Sequence, residues 1–393
     1  MTLMDLSNPP DRASHYFPLV DVLRGLAALA VLVFHVIEVG GWASFPTSGP
    51  LLLFRYGGFG VSAFLVISGF VVTLAAYQAW QADPLQFRRE FAYRRCARIV
   101  PLYLLTGVAH IFLVNPAFLQ LPWDQLFFQI STHLLFIHNL FPSTHGSIDG
   151  PNWSIALEMQ FYLLIAMLIP WLVRVQPLKV LLLIPLAWAF KFIVINLVTP
   201  GQDDQGLLFF YSTQLPGMLD LFAVGIAMAL CVCRVDLPYR KWFRPSWKNA
   251  ARWAAFSSLA TMAALAFFRS EPSYWTSAPL LIFFYTFLAL VFGGLLATAI
   301  TVPGLPTAFS RPWRYLGQIS YGIYLWHMLV IVALVHAGTS GGMALLLQTL
   351  AGSVILASLS WHWLERPIIS RAKAGSLHRS SQSRDDKQLR TAD

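Results

Sequence analysis

DVLRGLAALAVLVFHVIE, residues 21–38, is apolar and long enough to sit in a bilayer, yet it carries Asp21, Arg24 and His35. Arg24 and His35 are 11 positions apart. At about 100° per residue that is three turns plus about 20°, so both side chains leave the same helix face, about 16 Å apart along the axis. Charge in hydrocarbon is expensive, and a helix that keeps Arg and His on one stripe points them into a polar cavity. The competing reading is Arg24 snorkelling to the interface and His35 merely hydrogen-bonded.

Working outward, 57% of the 393 residues are apolar and 11% are charged. Soluble domains carry about 25% charge. Apolar segments of membrane-crossing length recur at 17–39, 57–81, 99–115, 153–173, 180–198, 214–233, 253–270, 279–300, 315–336 and 343–364. The fold class expected is therefore all-α: a polytopic membrane protein of about ten spans. The net charge of +9 invites a nucleic-acid reading, but its distribution opposes one. With the N-terminus inside, 23 of the 27 basic residues fall in inner segments, and only Arg55 and Arg269 lie at the outer side. That asymmetry is the positive-inside pattern, with both termini cytoplasmic in a plasma membrane. The first span lacks a clear cleavage site and reads as retained. Residues 1–16 form a short cytoplasmic segment, 17–367 the membrane domain, and 368–393 a disordered basic cytoplasmic tail that can meet anionic lipid. Residues 126–141, LFFQISTHLLFIHNLF, resist this scheme: a full span there would put the basic loop at Arg174 outside, so the segment reads as re-entrant or interfacial. Cys96, Cys231 and Cys233 make no disulfide framework, and no metal site is expected.

Three more constellations carry chemistry. In FRREFAYRRCARIVPLY (87–103), the spacing of Arg94, Arg95 and Arg98 puts three guanidiniums on one helix face, with Pro101 expected to interrupt the helix a turn later. All five basic residues here are Arg, which suits bidentate phosphate recognition, while topological anchoring is the plainer alternative. In PNWSIALEMQFYLLIAMLIP (151–170), Glu158 sits one to two turns into a span entered from the outer side, where a carboxyl suits proton transfer or structural pairing. In RYLGQISYGIYLWHMLV (314–330), Ser320, Tyr324 and His327 form a polar stripe that suits a lined cavity. Lys191 and Asp220 are expected to pair with each other or with Glu158, and Glu365 to neutralise a cytoplasmic Arg.

Depth orders these groups. The arginines lie toward the inner face, and His35, Glu158 and His327 at mid-depth or beyond. A long, thin anionic donor entering from the cytoplasm fits, and acyl-CoA is one: its phosphates stay with the arginines while pantetheine carries the thioester inward. A proton-coupled transporter of a glycan precursor or small anion, relaying through Asp21, His35 and Glu158, is the alternative, although the two halves show none of the symmetry common in transporters.

The pieces DVLRGLAALAVLVFH (21–35), GVSAFLVISGF (60–70), RRCARIVPLY (94–103), WSIALEMQFYLL (153–164), LPGMLDLFAVGIAMA (215–229), LGQISYGIYLWH (316–327) and LERP (364–367) occur in one order over residues 17–367. In this the chain resembles the bacterial integral-membrane acyltransferase 3 family, which acylates cell-surface and exported glycans. The resemblance implies a ten-helix domain moving an acyl group, usually acetyl, from acyl-CoA to a carbohydrate hydroxyl, on a polysaccharide or a lipid-linked glycan, with no tightly bound cofactor. It implies His35 as base or transient acyl carrier, Arg24 holding CoA or fixing His35, and Glu158 assisting proton transfer. Arg95 and Arg98, with Arg94, would bind the donor. Tyr324 and His327 would line the acceptor site, together with Asp21, Trp153 and Ser320. Two departures bear on donor or acceptor preference: Ser62 stands where many members are acidic, and Met218 where many have Arg before Leu219 and Asp220. The soluble extracytoplasmic domain of some members is not expected here, so transfer would finish within the membrane domain.

Overall fold

A computed structural model describes residues 17–198, 205–234, 236–271, 274–275, 277–304 and 307–374. The expected segment 1–16 and most of the expected tail (375–393) lie outside the described residues. All regular structure described is helical. The α-helices are α1 (Pro18–Val39), α2 (Gly60–Ala82), α3 (Phe87–Leu113), α4 (Trp123–Leu134), α5 (Trp153–Leu172), α6 (Leu183–Leu197) and α7 (Gln205–Ser212). They continue as α8 (Leu219–Cys233), α9 (Trp247–Ser270), α10 (Ala278–Thr301), α11 (Thr307–Gln318), α12 (Ser320–His336) and α13 (Met343–Ser360). Among the described residues, nine helical stretches are long and apolar enough to cross a membrane. Ser310–Gln318 and Ser320–His336, which meet at a 66° bend, together have the length and apolarity of a tenth. Nine of the ten expected spans each overlap one of these helices, and the expected span 315–336 falls on the bent pair.

The differences are local. The span expected at 99–115 begins at Phe87, because α3 carries its arginine turns as a helical extension and runs unbroken through Pro101. A proline removes one ladder bond, and packing of α3 against α12 and α5 holds the helix across that gap. At the other end of the chain, helix continues past the expected boundary at 367 to Ala374. A π-turn at Trp361–Glu365 precedes Pro367, with the Arg366 amide reaching back five residues to the Trp361 carbonyl. Segment 126–141 does not cross: α4 has 12 residues, about 18 Å of helix against a core of about 30 Å.

Two glycine crossings set the frame of the site. Gly69 on α2 and Gly225 on α8 face each other so closely that a Cβ on either would press on the opposing backbone. A Cβ on Gly317 of α11 would collide with the Asp21 carbonyl of α1. Such small-residue contacts let helix backbones approach where lipid offers no hydrophobic driving force. The second crossing seats α11 against the first turn of α1, beside Arg24, and the bend after Gln318 then carries α12 alongside α1 toward His35.

Candidate active site

Among the described residues, two adjoining cavities hold most of the expected site residues. The first, about 100 Å³, is walled by α1, α2, α3, α5 and α12, and its charged lining residues are Arg24, Arg95, Arg98 and Glu158. Arg95 lies over the rings of Phe91 and Tyr162, 5.2 and 5.3 Å from their centroids. The Tyr162 hydroxyl donates to Glu158 Oε1, which also accepts from Ser68 Oγ at 2.9 Å. Arg24 feels the like charge of Arg98 and the opposite charges of Asp21 and Glu158. Three guanidiniums against one lining carboxylate leave this cavity net positive, an environment that selects anions.

The second cavity, about 470 Å³, contains His35 and is walled largely by aromatic side chains, among them Phe34, Phe59, Trp153, Tyr274 and Tyr285. Arg55, the one charged residue among the described residues of its lining, is tied by its guanidinium to the carbonyls of Ala43, Phe45 and Pro46. His35 Nδ1 lies 3.0 Å from the Val31 carbonyl and 3.1 Å from His327 Nε2, and His327 Nδ1 lies 2.6 Å from the Tyr324 carbonyl. Carbonyls only accept, so each Nδ1 carries its proton, and His327 Nε2 is the acceptor for His35 Nδ1–H. The chain of contacts thus fixes one tautomer, leaving His35 Nε2 with a free lone pair. That is the arrangement a general base or acyl-accepting nitrogen needs.

Val61, Leu65 and Tyr324 line both cavities and form the wall between them. The Tyr324 and Ser154 hydroxyls meet at 2.7 Å and share the Pro151 carbonyl, at 2.9 and 3.1 Å. The single pocket expected from the Arg24–His35 stripe is therefore two compartments separated by one side-chain layer.

The expected site residues sort accordingly. Arg24, Arg95, Arg98, Glu158 and Ser320 line the arginine cavity, His35 and Trp153 the histidine cavity, and Tyr324 both. Arg94 does not join them: it points outward and pairs with Glu90 at 3.2 Å, since its position is rotated about 100° from that of Arg95. Asp21 lines neither cavity, and its backbone forms the α11 crossing. His327 is buried behind His35 rather than exposed to an acceptor. Glu158 lies with the arginines instead of beside His35, because Ser68 on α2 and Tyr162 on α5 hold it there. Lys191 and Asp220 pair at 2.9 Å, fully buried, and Lys191 also lies under Tyr285 of the histidine-cavity wall. Glu365 is buried within electrostatic reach of Arg98 and Arg24. Both departures, Ser62 and Met218, line the histidine cavity.

Sequence reasoning marked segment 126–141 and Trp153 but gave no role to the loop between them, which roofs this cavity. Gly150, Pro151 and Trp153 line it. The His133 and His138 rings stack in parallel at 4.1 Å, and His138 Nε2 lies 3.1 Å from the Asn152 carbonyl. Gln160 donates to Asn139 Oδ1 at 2.6 Å, and Gln214 to the Asn139 carbonyl at 2.6 Å. Asp149 is buried here with Oδ1 lacking a hydrogen-bond partner, and burial pushes its carboxyl up to about 8. The signal available in sequence was the density of His, Asn and Gln between 129 and 160 in an otherwise apolar chain.

Comparison with known proteins bears on this geometry. The model of the acyltransferase domain family, acyltransferase 3, matches residues 17–363. The chain belongs to the acyltransferase 3 family. Among curated relatives in this family, peptidoglycan O-acetyltransferase OatA of Listeria monocytogenes is 28% identical over 371 residues, 90% of this chain and 56% of the relative. Putative peptidoglycan O-acetyltransferase YrhL of Bacillus subtilis is 27% identical, covering 90% of this chain and 55% of the relative. Acyltransferase MdmB of Streptomyces mycarofaciens is 28% identical over 80% of this chain and 79% of the relative. The chain thus spans about half the length of the first two relatives. No solved structure matches.

Proposed function

We propose that this protein is a membrane O-acetyltransferase that takes acetyl from cytoplasmic acetyl-CoA and delivers it to a hydroxyl of a cell-surface or exported carbohydrate. The observation that carries the reading is the pair of adjoining cavities, one rich in guanidinium and the other presenting an unprotonated imidazole nitrogen. In this account Arg24, Arg95 and Arg98 hold the donor phosphates from the cytoplasmic side. The pantetheine arm passes the Tyr324 layer and brings the thioester to His35. His35 Nε2 removes the acceptor hydroxyl proton as that oxygen attacks the thioester carbonyl. The C–S bond then breaks, the ester forms, and the proton passes to the departing CoA sulfur. Transient acetylation of His35 Nε2 reaches the same products in two displacements. The Val31 carbonyl and His327 Nε2 keep His35 Nδ1 protonated throughout, and His327 steadies the charge that His35 gains. Glu158 orders the arginine cavity through Ser68 and Tyr162.

The names of the relatives, two of them peptidoglycan O-acetyltransferases, support acetyl as the group and glycan as the acceptor class. Family membership and the lack of halves-related symmetry favour this reading over a proton-coupled carrier. The test is release of free CoA by purified protein given acetyl-CoA and envelope glycan, with the acetyl ester on the glycan followed by mass spectrometry. CoA release that requires glycan, and loss of both signals in His35→Ala with folding intact, is the expected result. Full acetyl transfer by His35→Ala would overturn the role of His35, and glycan-independent behaviour would overturn the function.

A further inference from the structure

One buried charged pair takes no part in the proposed reaction. Lys191 of α6 and Asp220 of α8 are 1% and 0% exposed, and Lys191 Nζ donates to Asp220 Oδ2 at 2.9 Å. The same oxygen accepts from Thr286 Oγ1 of α10 at 3.0 Å, and Thr286 Oγ1 accepts from Trp188 Nε1 of α6 at 2.8 Å. Asp220 Oδ1 accepts from the Leu221 amide at 3.0 Å. The carboxylate is thus a fixed post with donors from three helices. The ammonium is held more sparely: among the described residues it meets that one oxygen and the ring of Tyr285, whose centroid is 4.9 Å away. Tyr285 lines the histidine cavity, and its hydroxyl is hydrogen-bonded to that of Tyr274, which lines it too.

A buried ion pair adds little net stability, because desolvating two charges offsets their attraction, and apolar residues of similar volume often serve a fold as well or better. Ionisable groups kept inside a membrane bundle point instead to function. Of the groups this pair touches, Tyr285 is the one that reaches a cavity. We propose that Lys191 is a positioning residue for the histidine cavity. Anchored by Asp220, its ammonium holds the Tyr285 ring, and through that hydroxyl Tyr274, in the wall against which the acceptor sits. The proposal rests on the proposed function and adds what shapes its acceptor side. A cation–π contact strengthens where water is excluded, so it fixes the orientation of the ring. Lying behind the ring, the ammonium shapes the cavity without joining its lining.

The test compares Lys191→Met, which strands the Asp220 carboxylate, with the double variant Lys191→Met, Asp220→Leu, which removes both charges. A second double variant, Lys191→Gln with Asp220→Asn, keeps a neutral hydrogen bond and loses the ammonium. The single variant is expected to lower Tm in detergent, and the doubles to melt like the unaltered protein. In the folded doubles, hydroxyl-radical footprinting read by mass spectrometry is expected to show more oxidation at Tyr285 and Tyr274. KM for the glycan is expected to rise about tenfold, with kcat and KM for acetyl-CoA unchanged. A folded double that keeps either the footprint or the glycan KM of the unaltered protein overturns the proposal. An equal rise in KM for acetyl-CoA also overturns it, since the disturbance then reaches the arginine cavity. Failure of both doubles to fold overturns it in favour of a purely structural pair. A changed footprint in a protein that releases no CoA with any glycan, altered or not, removes the proposed function and leaves Lys191 as the residue that sets the wall.

Discussion

At the scale of single residues, the account turns on which nitrogen of His35 is free. His327 can only accept from it, because the Tyr324 carbonyl claims the other His327 nitrogen. His35→Ala is expected to lower kcat by about 10²- to 10⁴-fold, the usual worth of a positioned base. His327→Ala removes one of the two acceptors at His35 Nδ1 and leaves the Val31 carbonyl, so it is expected to lower kcat by less than His35→Ala does, with KM for acetyl-CoA unchanged. A KM effect instead, read by steady-state kinetics, would make His327 a binding residue. The double variant Arg95→Ala, Arg98→Ala is expected to raise KM for acetyl-CoA at least tenfold, about 1.4 kcal/mol, while Arg94→Ala leaves it unchanged because Arg94 faces away and pairs with Glu90. Equal effects of Arg94 and the pair would reduce all three to topological anchors. The Arg24–His35 stripe was legible because helical periodicity alone dictates it. The place of Glu158 was not, since it is set by Ser68, 90 residues away on another helix.

At the scale of elements, hydrophobic length made the nine membrane-length helices and the bent pair before and after Ser320 readable. Boundaries were less readable at prolines: Pro101 is absorbed inside α3, and Pro367 is accommodated by a π-turn. The close contact of α2 and α8 at Gly69 and Gly225 predicts that Gly225→Leu costs about 1–3 kcal/mol or more through overpacking, seen as a lowered Tm in detergent. The loop over the histidine cavity gives a pH prediction. Burial holds the Asp149 carboxyl protonated up to about 8, against an ordinary 3.8. Between those values the folded state binds the extra proton, so stability falls as pH rises through the window and levels off above about 8. Asp149→Asn, which mimics the protonated acid, is expected to flatten that slope and to raise Tm at pH values near 9 relative to the unaltered protein. An unchanged slope in thermal melts across pH 5–9 would show that the carboxyl is solvated.

At the scale of the whole molecule, the arginine and histidine compartments lie toward opposite ends of the bundle and are parted by Val61, Leu65 and Tyr324. The 11-residue separation of Arg24 and His35 on α1 anticipated the two ends, but nothing local in the chain announces the partition, because its three residues come from α2 and α12. On the proposed function, such a partition would keep donor and acceptor in separate waters until the thioester crosses one side-chain layer. Proteoliposomes of uniform orientation, with acetyl-CoA and a membrane-impermeant envelope glycan placed on chosen sides, test this directly. Acetyl transfer is predicted only when acetyl-CoA is on the side of Arg95 and Arg98 and the glycan is on the other. Equal transfer with both reactants on one side would contradict the account.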